Sequence, residues 1–323
     1  INAKGGKIIL MTHVGRPKNK KTGEIEINDD LSVQPIVDYL QNKLHITLKV
    51  PQFREHGNQG YLGIETSVNH QIRELREGKI DGIYLPNTRW FYGEEAGGEE
   101  ADRLANQLAG LADIFINDAF GSWQPHASTV GVNKYLPSYA GFLMQSEINN
   151  LERIYDPKKP FIAVVAGAKF DTKAESLYAL LKKADYLVLG GVIYNAYLAA
   201  KYDLKIHGIT EEDKKLAKEF IDYADKYEGK LLELPYIVES DTLEGKIEGQ
   251  YREHYIHDLE PGTELNYILD VSHKSFEEDH VQEVFHNAQT IFVNAVMGFT
   301  PHFNDGTIAL DQLIDENVDA VKL

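Results

Sequence analysis

At 323 residues the chain is too long for one ordinary core, so two domains are expected. A net charge of −17, from 33 basic and 50 acidic residues, argues against nucleic acid or an anionic membrane as a partner. The lack of cysteine removes disulfides, thiolate metal sites and cysteine nucleophiles, and no apolar run reaches the roughly 18 residues of a membrane helix. The first residues, Ile1-Asn-Ala-Lys-Gly-Gly-Lys7, do not read as a signal peptide, so a cytoplasmic enzyme or binding protein is the class that remains.

Strand and helix patterns alternate along the chain. Lys7–Thr12 is an apolar run that empties into His13-Val-Gly-Arg-Pro17, as a buried parallel strand does into a loop. Leu31–Leu44 has apolar residues at helical spacing, with Asn28, Asp29 and Asp30 as capping candidates. Short strands are expected at Ile46–Val50, Gly82–Leu85 and Ile114–Asn117, separated by helices at Glu65–Glu77 and Glu99–Leu111. Leu143–Ile154 reads as an interdomain helix stopped by Asp156-Pro-Lys-Lys-Pro160.

The alternation then restarts with strand Phe161–Val165, a helix near Thr172–Lys183, strand Tyr186–Leu189 and a helix from Val192. A charged helix, Glu211–Tyr227, precedes strands near Lys230–Leu234, Tyr267–Leu269 and Thr290–Val293, with a helix between the last two. The expected fold class is α/β, with two doubly wound parallel-sheet (Rossmann-like) domains joined by an interdomain helix. The boundaries are 1–142 for the first domain, 143–160 for helix and linker, and 161–323 for the second. The chain starts at Ile1, and Asp319–Leu323 reads as a strand just starting, so a fragment is expected.

Neither a Gly-x-x-x-x-Gly-Lys-Ser/Thr loop nor a Gly-x-Gly-x-x-Gly turn is present. Basic residues and glycines gather instead at the carboxyl ends of expected strands, where open α/β sheets bind ligands. In the first half these are His13, Arg16, Arg89 and His126. Arginine suits phosphate or carboxylate through its two-pronged fork of donors. Each alone reads as a solvated loop charge or loop anchor; their shared topological address favours binding.

In the second half, Ala166-Gly-Ala-Lys-Phe-Asp-Thr-Lys173 offers a strand, a glycine turn and a helix start, an anion site from free N–H groups and the helix dipole. Gly167, Ala168, Lys169 and Lys173 are its candidates, and a helical turn would put the two lysines on neighbouring faces. Gly190 and Gly191 would allow a ligand close to the backbone, or serve only as a tight turn. Lys18, Lys20 and Lys21 read as a solvated loop, and Glu94-Glu95 and Glu277-Glu278-Asp279 as surface. No histidine–carboxylate set has metal-ligand spacing.

Leu10–Pro17, Asn87-Thr-Arg-Trp-Phe-Tyr92, Phe115–Gly121 and Gly167–Lys173 together resemble phosphoglycerate kinases in order and spacing. So do Leu189–Gly191, Leu269–Ser275, Asn294–Gly298 and Gly306-Thr307. The resemblance implies reversible phosphoryl transfer between ATP or ADP and phosphoglycerate, with Mg2+ carried by the nucleotide and a hinge closure joining the domains. It implies that His13, Arg16 and Arg89 grip the acid and that Lys173, with Arg16, acts on the phosphoryl group. Lys169 would hold a nucleotide phosphate, and Gly190, Gly191 and Asn294 would line the nucleotide pocket. A monomer without nucleic-acid or membrane partners is expected.

The chain departs from the family pattern in places. After Phe120-Gly121 the family carries an arginine within a His-Arg-x-His segment; here the stretch Ser122-Trp-Gln-Pro-His126 is one residue shorter than the family's and keeps the last histidine alone. Pro301 stands where a pocket glutamate is expected, and Ser272-His273 replace Gly-Pro. An early Asp-x-Asn strand with its following arginine and a late Gly-Gly-Asp-Thr/Ser loop lie outside the sequence, so weak or no activity of the chain as given is expected. A catalytically dead nucleotide-binding scaffold and a kinase for another small carboxylate stand as alternatives.

Overall fold

The computed structural model describes residues 1–122 and 124–323, with the backbone alone at Thr172. It divides into two compact units, Ile1–Asn149 and Asn150–Leu323. Unit 1 contains β1 (Ile8–Leu10), α1 (Gln34–Leu44), β2 (Leu48–Lys49), α2 (Val68–Arg76), β3 (Gly82–Tyr84), α3 (Gly98–Ala109), β4 (Phe115–Asn117), β5 (Ser138–Ala140) and most of α4 (Phe142–Glu152). The parallel order is β1-β3-β2, and β4 and β5 form a separate parallel pair, so the strands of this unit do not make one continuous sheet.

The core of unit 1 is built from Ile83, Leu85, Phe91 and Leu104, with the rings of Phe53, Tyr61 and Phe91 meeting edge to face. The expected capping residue Asn28 does not start α1. It accepts from Leu31 N at 3.2 Å and caps a short 3-10 turn, and Pro35 in the first turn of α1 sets where the helix begins. The apolar side chains Phe142, Leu143, Ile148 and Leu151 of α4 are exposed.

Unit 2 contains β6 (Phe161–Gly167), α5 (Ala174–Lys183), β7 (Tyr186–Gly190), α6 (Gly191–Lys201), β8 (Lys205–Ile206), α7 (Glu211–Ala224), β9 (Tyr236–Ser240) and β10 (Tyr251–Tyr255). β11 (Glu264–Leu265), β12 (Tyr267–Val271), α8 (Asp279–Asn287), β13 (Thr290–Asn294), α9 (Asp305–Glu316) and β14 (Val321–Lys322) complete it. The central parallel sheet runs β14-β13-β6-β7. Every residue of β6 from Phe161 to Ala166 is buried. Burial of each large side chain among them contributes about 1.5–3 kcal/mol. α6 is buried from Ile193 to Ala199, whereas α7 is amphipathic and opens on a Thr210–Asp213 capping box.

Three expectations change here. The strand placed at Lys230–Leu234 is a single bridge from Leu231 to Leu187. The strand near Tyr267–Leu269 belongs to an antiparallel sheet, β10-β9-β12, so unit 2 is not doubly wound throughout. α9 had no counterpart in the sequence pattern, while the expected strand start near the end is β14, paired with β13. Among the described residues no helix is long and apolar enough to cross a membrane.

Candidate functional site

In unit 1 the loops after β1 and β3 are tied together by Asn87, which is 0% exposed. Its amide nitrogen donates to the carbonyls of Val14 (2.8 Å) and Leu31 (3.0 Å), and its oxygen accepts from Val14 N and Arg89 N. A buried amide with both ends satisfied fixes loop geometry firmly, because each freed partner would be an unpaired polar group. Arg89 is thereby set beside the His13 loop, where its Nη1 donates to Gly15 O at 2.6 Å.

His13, Arg89 and His126 come together as expected, with two carboxylates among them. Arg89 Nε lies 3.1 Å from Glu95 Oε1, and His126 Nε2 lies 3.8 Å from the same oxygen. The His13 imidazole is held below its usual pKa by burial, with the charge of Arg89 and the neighbouring His126 in support and Glu95 opposing. Burial lowers His126 as well, against the pull of Glu95. Arg16 is exposed on the same loop, whereas His13, Arg89 and His126 are half-buried. Of the shortened Ser122–Pro125 loop, Trp123 lies outside the described residues, and Gln124 offers its carbonyl to Thr129 Oγ1 at 2.6 Å.

The pair Glu94-Glu95 is not the surface stretch expected from its charge. Glu94 is 2% exposed and accepts from Ser128 N (3.0 Å) and Ser128 Oγ (2.5 Å). Burial pushes its pKa up to about 7 against those hydrogen bonds. Gly93 lets this turn press on α3, since a Cβ there would lie 2.5 Å from Glu100 O, but no signal in the sequence separates Glu94 from a surface carboxylate. Asn117 and Asp118 are structural, Asn117 donating to Thr129 O and Asp118 capping α4 through Met144 N.

In unit 2 the turn Gly167–Lys173 follows β6, and Phe170 anchors it in the core, edge-on to Phe220 at 5.9 Å. Lys173 Nζ donates to Asn294 Oδ1 at 2.5 Å, which brings together two candidates from the carboxyl ends of β6 and β13. Lys169 and Lys173 do not share a helical turn, because residues 171–173 form a 3-10 turn and α5 starts only at Ala174. Ala168 and Lys169 are exposed in the turn before it.

Gly190 and Gly191 have a packing reason. A Cβ on Gly190 would lie 2.7 Å from Met297 Sδ, and one on Gly191, which sits at φ +60°, would lie 3.0 Å from Gly167 O. They form a floor that joins β6, β7 and the Asn294–Gly298 loop, since Gly191 N also donates to Met297 O. Asp270, not singled out from sequence, is buried behind that loop. It accepts from Gly306 N at 3.1 Å, and burial pushes its pKa up to about 6. Ala295, directly after Asn294, adopts φ +75°.

The family profile described as phosphoglycerate kinase matches residues 1–323. The phosphoglycerate kinase of Pseudothermotoga lettingae is 32% identical over 319 residues, which cover 96% of this chain and 73% of the relative. That of Dictyoglomus turgidum is 32% identical over 326 residues, covering 99% and 75%. Among solved structures, phosphoglycerate kinase from Coxiella burnetii aligns with a TM-score of 0.73 at 26% identity, covering 99% of this chain and 75% of that one. The enzyme from Pyrococcus horikoshii gives the same TM-score at 23% identity over 98% and 76%, which bears on the fold alone.

Proposed function

Since the chain belongs to the phosphoglycerate kinase family, an ATP-dependent group of phosphotransferases, we propose that its two units hold the two substrates separately. Unit 1 takes 3-phosphoglycerate through His13, Arg16, Arg89 and His126. Unit 2 takes ATP or ADP around Gly167, Ala168, Lys169, Lys173, Gly190, Gly191 and Asn294. The acid's carboxylate oxygen attacks the γ-phosphorus in line; the new O–P bond forms as the bond to the ADP oxygen breaks. Such transfer depends on positioning and charge neutralisation rather than on a covalent intermediate.

One observation carries the reading most directly: the Lys173 ammonium is positioned by Asn294 beside a glycine-built turn at the end of a parallel strand. An ammonium there neutralises charge that develops on the moving phosphoryl group. Mg2+ enters as part of the nucleotide substrate. Among the described residues no group of three His, Cys, Asp or Glu side chains makes a protein cage, and phosphate oxygens are its customary ligands in such substrates. The proposal includes a closing motion that brings the substrates to bonding distance, in a monomeric cytoplasmic enzyme. It also includes slow turnover for this 323-residue chain, whose Ser122–Pro125 loop and Pro301 depart from the family's segments.

The test is Lys173→Ala in a coupled assay with ATP and 3-phosphoglycerate. Turnover should fall by about 10³ while nucleotide affinity falls far less. Equal turnover would remove Lys173 from the reaction.

A further inference from the structure

We propose that Glu95 is an internal counter-anion seated in the acid site of unit 1, which an anionic substrate must displace and which screens out weaker anions. The inference rests on the reading of unit 1 as the acid-binding unit. One oxygen, Glu95 Oε1, faces both Arg89 Nε at 3.1 Å and His126 Nε2 at 3.8 Å. A substrate carboxylate or phosphate gripped by Arg89 and His126 would take the place of that oxygen.

Three observations make Glu95 displaceable rather than structural. The ion pair is not a hydrogen bond: Arg89 Nε is buried and finds no aligned acceptor, although the distance is short. Its guanidinium therefore keeps a donor that a better-placed anion would satisfy. Glu95 is also 27% exposed, so its side chain has room to swing into solvent. The adjacent Glu94 shows what a fixed carboxylate looks like in the same turn, being 2% exposed and held twice by Ser128.

The charges that face Glu95 agree. It opposes the depression of both His13 and His126, whereas Arg89 acts in the other direction. Glu95 thus already serves the basic cluster as its anion. A monocarboxylate replaces one charge by one and gains little. A phosphorylated acid brings more charge than it displaces, so the exchange favours it.

Glu95→Gln and Glu95→Ala, prepared in the full chain, separate the possibilities by calorimetric titration with 3-phosphoglycerate and with glycerate, which lacks the phosphate. Both variants should bind 3-phosphoglycerate about tenfold more tightly than the parent. Glycerate affinity should rise by more than that, narrowing the discrimination between the two acids. Unchanged or weaker 3-phosphoglycerate binding in both variants, with the parent binding normally, would overturn the proposal and make Glu95 a support for Arg89. If none of the three proteins bound 3-phosphoglycerate, the acid-site reading itself would fall, and the proposal with it.

Discussion

The loop that offers Lys169 and Lys173 in unit 2 is anchored by a buried ring, Phe170, whereas the loop that offers His13 and Arg16 in unit 1 is anchored by a buried amide, Asn87. A ring is held by contact area and tolerates small shifts. An amide is held by direction, with donors and acceptors that must all be met. Unit 2 can lean on area because β6 and α6 give it a continuous core. Unit 1, with strands of two or three residues in two sheets, relies more heavily on polar pins.

The largest expected effect tests the ring. Phe170→Ala should destabilise unit 2 by about 3–5 kcal/mol, as for other buried phenylalanines. A loss below about 1 kcal/mol in denaturant unfolding would mean that the turn is not anchored there. Asn87→Ala should cost unit 1 about 2–3 kcal/mol, because the Val14 N–H and the Val14 and Leu31 carbonyls lose their partner inside the fold. It should also loosen Arg89, so phosphoglycerate affinity should fall together with stability. Stability lost without affinity would separate the pin from the site.

The pH dependence sharpens the contrast further. The Glu94 pKa is raised to about 7 from an ordinary 4.5, so the folded state holds its proton more tightly than the unfolded state. Unit 1 should therefore lose stability as pH rises from about 4.5 to about 7 and stay lower above that. Glu94→Gln should remove this slope and raise stability at pH 8, by an amount on the order of 3 kcal/mol. The neutral amide is acceptable here because its oxygen can still accept from Ser128 N while the Ser128 hydroxyl turns to accept from its nitrogen. Melting curves of parent and variant from pH 5 to 8 that ran parallel would show that Glu94 does not titrate in this range.

Elements whose burial is apolar were legible before the structure. β1, β6, β7 and β13 announce themselves as runs of branched side chains, and α3 and α7 by their period. β10, Tyr251-Arg-Glu-His-Tyr255, could not be found that way, since its pairing to β9 is secured by polar contacts. The buried Glu239 takes two hydrogen bonds from Arg252 directly across the strands and one contact from His254 Nε2 at 2.6 Å. In the site the same division holds. The basic residues His13, Arg89, His126 and Lys173 stand at strand ends that their sequence neighbours mark. Glu94, Glu95 and Asn87 act through partners far away in sequence, such as Ser128 and Leu31, that no local pattern reveals.

The smallest effect concerns backbone rather than side chain, and it compares the same need met in two ways. Unit 1 turns its His13 loop through Gly15 at φ +59°, where a Cβ would also lie 2.5 Å from Leu31 Cδ2. Unit 2 makes a comparable left-handed step after β13 at Ala295, φ +75°, beside the Asn294 that positions Lys173. For an alanine that conformation costs roughly 1–2 kcal/mol. Ala295→Gly removes the strain but frees the unfolded chain, which returns about 0.4–1 kcal/mol of the gain. The net should be stabilisation of unit 2 by about 0.5–1 kcal/mol, seen as a higher urea midpoint at unchanged slope. Gly15→Ala, the converse change, should destabilise unit 1 by about 2 kcal/mol or more, because it meets both the backbone strain and the Leu31 methyl. A lower midpoint for Ala295→Gly would mean that the strained alanine is stabilised by contacts its methyl makes, and the two left-handed turns would no longer be comparable.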